Sequence, residues 1–95
     1  MRVRYTPEAF ADRERIFKYL REHSPSGARS VMASIREAVQ LLRDHPYSGY
    51  KTNDPDVRVK FLIRYPYKMF YRVRDDVVEI AHIRYTSRRP WAGER

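Results

Sequence analysis

Tyr67-Lys68-Met69-Phe70-Tyr71-Arg72-Val73-Arg74-Asp75-Asp76-Val77-Val78-Glu79-Ile80-Ala81-His82-Ile83-Arg84-Tyr85 reads as a β-hairpin. Both arms are rich in β-branched and aromatic residues, and the polar turn Arg74-Asp75-Asp76 separates them. Successive side chains of a strand point to opposite faces. Alternation therefore puts Tyr67, Met69, Tyr71 and Val73 on one face of the first arm, with Lys68, Phe70 and Arg72 on the other. In the second arm Val78, Ile80, His82 and Arg84 oppose Val77, Glu79, Ala81, Ile83 and Tyr85. Just upstream, Val57 to Tyr65 reads as a third strand, with Val57, Val59, Phe61, Ile63 and Tyr65 on one side and Arg58, Lys60, Leu62 and Arg64 on the other. The pattern predicts one largely apolar face and an open face of repeated cations. Such a sheet needs helices over its apolar side.

Toward the N-terminus the sequence supplies those helices. Arg2-Val3-Arg4-Tyr5 alternates as a short edge strand. Thr6-Pro7-Glu8 then combines a hydroxyl N-cap, a proline whose missing N–H costs nothing, and a carboxylate in the first turn. The helix it starts runs to about Glu22, with Phe10, Ile16, Phe17 and Leu20 as its apolar stripe and Asp12, Arg13, Glu14 and Arg15 mostly outside. Ser24-Pro25-Ser26-Gly27 ends it and caps a second helix, on which Val31, Ile35, Ala38 and Leu42 share one face. Met32, Val39 and Leu41 widen that apolar arc beyond what one contact needs. The order β-α-α-β-β-β predicts an α+β two-layer sandwich, with a helical hairpin packed on one face of an antiparallel-rich sheet.

Composition narrows the function. At 95 residues the chain reads as one domain, 1–95, with a single core of modest size. The net charge is +8, divided as +2 over residues 1–57 and +6 over residues 58–95, which suggests a polyanionic partner in the form of nucleic acid or an acidic protein surface. There is no cysteine, so neither disulfides nor thiolate metal sites are available. His23, His45 and His82 sit in different elements without a partner at ligand spacing, so no metal and no cofactor is expected. No signal-like or membrane-length apolar run occurs, and a cytoplasmic location is the simplest expectation.

The turn Pro46-Tyr47-Ser48-Gly49, the strand Tyr67 to Val73, the Asp75-Asp76 turn and the ending Ile80-Ala81-His82-Ile83-Arg84-Tyr85-Thr86-Ser87-Arg88-Arg89-Pro90-Trp91 together resemble the RelE/ParE superfamily of toxins from type II toxin–antitoxin systems. The resemblance runs along nearly the whole chain, and the closing stretch is most similar to the ParE branch. It implies a cytoplasmic toxin that stops growth by binding and poisoning DNA gyrase, with no chemistry of its own, held in a hetero-oligomer by a cognate antitoxin. RelE-like members are instead metal-independent endoribonucleases that cut mRNA on the ribosome, and that alternative stays open. A ribonuclease would use cations and a proton-exchanging group, here Lys68, Arg72 and Arg84. Lys68 stands where such enzymes resemble one another in having an arginine, and lysine lacks the planar fork that grips phosphate. Thr86 stands where one ribonuclease subgroup has a terminal histidine.

Two sets of contact residues follow. For the target, the resemblance and the basic bias point to Lys60, Arg84, Tyr85, Arg88, Arg89 and Trp91, since Arg and Trp are favoured interface anchors. Tyr65, Tyr67 and Tyr85 would suit base stacking if the partner were RNA, or ordinary sheet packing. For the antitoxin, the surplus apolar residues Phe10, Phe17, Met32, Val39 and Leu41 suit docking of a helix or an extended tail.

Overall fold

The computed structural model describes residues 1–86. Strand β1 (Arg2–Tyr5) leads to helices α1 (Pro7–His23) and α2 (Pro25–Asp44), followed by β2 (Tyr50–Lys51), β3 (Arg58–Phe61), β4 (Tyr67–Arg74) and β5 (Val77–Tyr85). The sheet order is β1-β5-β4-β3-β2. Strand β1 runs parallel to β5, and every other neighbouring pair is antiparallel. This is the expected α+β sandwich, with the two-residue β2 added at one edge.

The helix boundaries follow the local chemistry read from the sequence. Thr6 Oγ1 accepts from Ala9 N–H at 3.0 Å, with Pro7 in the first turn. Ser24 serves both helices. Its N–H donates to Leu20 O at 2.6 Å, closing α1, and its Oγ accepts from Gly27 N–H at 3.2 Å, opening α2. A single residue thus joins the two rods. At the far end of the sheet, Asp75 and Asp76 take φ of 50° and 63°. That left-handed pair gives a two-residue turn matched to the twist of the flanking strands, and aspartate tolerates it better than most side chains.

The core lies between the helices and one face of the sheet. Val31, Met32, Ile35, Ala38 and Leu42 of α2 and Ala9 of α1 meet Tyr67, Met69, Tyr71, Val78, Ile80 and Ile83. The face predicted for α2 is buried at every position. On α1, Ile16, Phe17 and Leu20 pack against the cluster, whereas Phe10 stays 52 % exposed.

Strict alternation fails in two places, the β3 valines fall on the face opposite the core, and the open cationic face does not form. A bulge falls where Phe70 pairs with His82 but Tyr71 pairs with Ile80. Ala81 is the extra residue, which rephases β5 so that Ile80 and Ile83 both join the core. Strand β3 stops at Phe61 rather than Tyr65; the chain bends ahead of Pro66, and Leu62 N–H donates to Tyr67 O at 3.0 Å. Finally, Val59 pairs with Phe70 and Lys60 with Met69, so the β3 valines share a face with Phe70 and Lys60 points to the helix side. Val57, Val59 and Phe70 form a second buried cluster there. Lys68 lies beside it, only 6 % exposed, its ammonium 5.3 Å from the Phe70 ring centre.

One polar lock ties the loop after α2 to the sheet. Gly49 N–H donates to Tyr71 Oη at 3.0 Å inside the core. Arg58 donates to Gly49 O at 3.0 Å and to Tyr47 O at 3.2 Å, and lies over the Tyr47 ring. Burial pushes the Tyr71 hydroxyl above the ordinary phenol value, while the Gly49 bond and the Arg58 charge pull the other way. A Cβ on Gly49 would sit 2.7 Å from Tyr71 Oη and 2.7 Å from Val59 O, so the position needs glycine for space. Gly49→Ala is therefore expected to cost about 1–3 kcal/mol, read as a lower urea midpoint with unchanged slope.

Candidate functional site

The most densely functionalised part of the surface lies where β5 outruns β1. Strand β1 accompanies β5 only as far as the Tyr5–Ile80 pair, and beyond it the chain turns into α1. Thr6 N–H takes Ile80 O and Thr6 Oγ1 takes Ala81 O, both at 3.0 Å. One turn further along α1, Asp12 reaches back to the strand, where its Oδ2 accepts from Ile83 N–H at 3.0 Å. His82 Nδ1 stands 3.2 Å from the same oxygen, and Arg15 bonds the other. A single side chain from the helix thus occupies a backbone donor that β1 is too short to reach, and both its oxygens are engaged.

Asp12 is 8 % exposed, whereas the sequence reading placed it on the outer side of α1. The signal was present in the spacing: Ala9, Asp12, Ile16 and Leu20 recur at three, four and four residues. A carboxylate in that stripe must meet donors once the helix docks.

Beyond Asp12 opens a cleft of about 730 Å³, lined by Arg15, Ile16, Tyr19, Tyr67, His82, Arg84 and Tyr85 among others. Tyr67 is buried and meets Tyr85 edge to face, with ring centres 5.3 Å apart at 80°. Burial raises the Tyr67 hydroxyl above its usual value, and the neighbouring Tyr85 and Tyr19 hydroxyls add to the rise. Tyr19 and Tyr85 remain 57 % and 45 % exposed.

The other residues singled out from sequence scatter. Lys60 pairs with Met69 on β4, and Arg84 pairs with Lys68, so Lys60 and Arg84 fall on opposite faces of the sheet. Arg84 and Tyr85 do share the cleft. Arg88, Arg89 and Trp91 lie outside the described residues. Of the three cations a ribonuclease would use, Lys68 is buried, while the Nε atoms of Arg72 and Arg84 are enclosed without an acceptor among the described residues. Met32 belongs to the core, Phe17 and Val39 pack against it, and Phe10 and Leu41 are exposed.

Leu41 lines a second groove, between α2 and the bend after β3, with Lys60, Phe61, Ile63, Arg64 and Tyr65 opposite. Ile63 is 95 % exposed and Phe61 42 %. Neither entered the interface set from sequence, because the alternation of an uninterrupted strand hid the bend that projects Ile63. Among the described residues no three His, Cys, Asp or Glu side chains gather as a metal site would need, and no helix is long and apolar enough to cross a membrane.

A helical hairpin packed on one face of an antiparallel-rich sheet is the architecture that the resemblance to the RelE/ParE toxins implied. Residues 3–90 match the family described as the ParE toxin of the type II toxin–antitoxin system parDE, and the chain belongs to that family. It is 33 % identical over 76 residues to a Sinorhizobium fredii (strain NBRC 101917 / NGR234) protein named "Putative toxin Y4kP", covering 80 % of this chain and 79 % of that one. It also superposes on a chain from a chromosomal ParDE toxin–antitoxin system of P. aeruginosa with a TM-score of 0.80, at 26 % identity, covering 92 % of this chain and 97 % of the other.

Asp12 anchors the cleft, so its removal tests the geometry. Asp12→Ala leaves Ile83 N–H without the carboxylate it donates to and is expected to cost about 1–3 kcal/mol. Amide exchange at Ile83 should speed up more than exchange at Ile80, whose strand pairing is untouched.

Proposed function

We propose that this chain stops growth by binding DNA gyrase and leaving its DNA broken, and that a cognate antitoxin restrains it by covering its exposed apolar surface. The observation that carries the gyrase reading is the match to the ParE family over residues 3–90. The state of Lys68 supports it: a lysine 6 % exposed against a phenylalanine ring is poorly placed to stabilise a phosphate in a ribonuclease transition state, which needs a donor aimed at the reacting oxygens.

Inducing the chain alone, with DNA and protein synthesis pulse-labelled over the following minutes, tests the target. DNA synthesis is expected to stop first, with linear DNA accumulating when purified gyrase is mixed with the toxin. Early arrest of protein synthesis with DNA synthesis intact would replace gyrase by the ribosome.

For the antitoxin, Leu41, Phe61 and Ile63 form the exposed apolar groove, with Lys60 and Arg64 beside them. That combination suits an amphipathic segment with acidic flanks. Phe10 is a further exposed apolar contact on α1. Ile63→Asp places a charge where burial is absent in the free toxin, so its thermal midpoint should stay within experimental scatter. Affinity for the antitoxin, measured by calorimetry, is expected to fall at least tenfold.

A further inference from the structure

Phe70 stands on β4, the middle strand of the five, on the face turned away from the helices. It is nonetheless 0 % exposed, and Val57, Val59 and Lys68 on the same face are buried as well. Side chains stand roughly perpendicular to a sheet, so those beside a ring on one face wall it in without roofing it. Lys68 brings its ammonium 5.3 Å from the centre of the Phe70 ring, but a lysine that formed the roof would itself stand in water. The Nε atoms of Arg72 and Arg84, on this face too, are also enclosed. The loop at Thr52, whose hydroxyl donates to Val57 O at 2.9 Å, shields only the β3 side. Both helices pack against the opposite face, so among the described residues no element roofs Phe70.

The chain beyond Thr86 has the length and the composition to supply that roof. Strand β5 ends at Tyr85, opposite Tyr67, and Thr86 N–H donates to Pro66 O at 2.7 Å, which fixes where the chain leaves the sheet. Phe70 lies three residues along β4 from Tyr67, about 10 Å away. Trp91 follows Thr86 by five residues, a reach of up to about 17 Å, enough to turn back and come to rest above Phe70. Pro90 biases Arg89 toward extended backbone, and the indole brings the large apolar area that a roof requires. A second copy of the chain fits less well. A two-fold contact would set Lys68, Arg72 and Arg84 of one copy against the same three cations of the other.

We propose that residues 87–95 fold back as a strap over this face, with Trp91 seated on Phe70 and Val59. The strap closes off Lys68, Arg72 and Arg84 and engages Trp91 within the free toxin. A partner that contacts Trp91 must therefore lift the strap first and uncover the Phe70 cluster. The strap does not depend on gyrase being the target.

Trp91 is the single tryptophan of the chain, so its fluorescence reads the contact in the unaltered, purified toxin. The folded toxin is expected to emit at shorter wavelength than the urea-unfolded chain and to resist acrylamide quenching. Both properties should persist over about a hundredfold dilution, as an intrachain contact requires. In NMR spectra the indole should give NOE cross-peaks to the Phe70 ring and the Val59 methyls. Val59→Ala should shift the emission toward that of the unfolded chain, whereas Leu41→Ala, on the helical side, should leave it in place. Emission and quenching equal to those of the unfolded chain would overturn the strap. Protection that disappears on dilution would assign the roof to a second copy, and indole NOEs to other residues in place of Phe70 and Val59 would seat Trp91 elsewhere. Either result overturns it as well, and the NOE measurement needs no variant to fold.

Discussion

A β-strand takes up about 4.8 Å of sheet width and a helix about 10 Å, so two helices side by side fall short of the five-strand sheet. The shortage must appear somewhere, and here the helical layer sits toward the β1 and β5 side. Helix α1 lies on β5 and α2 reaches β1. Both of the larger grooves follow from that placement. On one side the bend after β3 stands clear of α2 and leaves Phe61 and Ile63 in water; on the other, α1 overhangs the end of β5 and walls off the tyrosine cleft. The exposed apolar and aromatic surface is a consequence of coverage, fixed by the element count before any particular side chain is chosen.

How much of this the sequence discloses depends on the range of the interaction. Thr6-Pro7 and Ser24-Pro25 announce the helices because a cap is formed within four residues. The buried face Val31, Ile35, Ala38 and Leu42 is equally legible, since helical periodicity needs no knowledge of the partner. The bulge at Ala81 is different. It arises from how β5 must register against β4 while also meeting Thr6 on its other edge, and no window along the chain contains both conditions. Lys68 was misplaced for the same reason. Its face was assigned correctly relative to Phe70, but β3 brings Val57 and Val59 to that face, so a position that reads as solvated is enclosed.

The candidate site was half legible. Arg84 and Tyr85 were found as a basic and an aromatic residue ending a strand, and they do lie together. Tyr19 and Asp12 come from a helix more than sixty positions away, and they meet β5 only because β1 is four residues long and releases the chain at Thr6. Charge bias pointed to the C-terminal half, Lys60 and Arg84 included, but not to the helix residues that share the cleft with Arg84. Several cations are structural: Arg58 holds the Tyr47–Gly49 loop, Arg4 pairs with Glu79, and Arg15 pairs with Asp12.

The parallel pairing of β1 with β5 also sets a schedule. Arg4 and Glu79 meet across 75 residues, so the strand that leaves the ribosome early has no strand to pair with until β5 is made. At about 5–20 residues per second, that wait is roughly 4 to 15 seconds. The helical hairpin can form in the interval, but Val78, Ile80 and Ile83, which complete its core, are still unsynthesised. A chain built this way cannot present its finished surface while it is being translated. A binding partner already in solution therefore has the whole of that interval in which to be waiting.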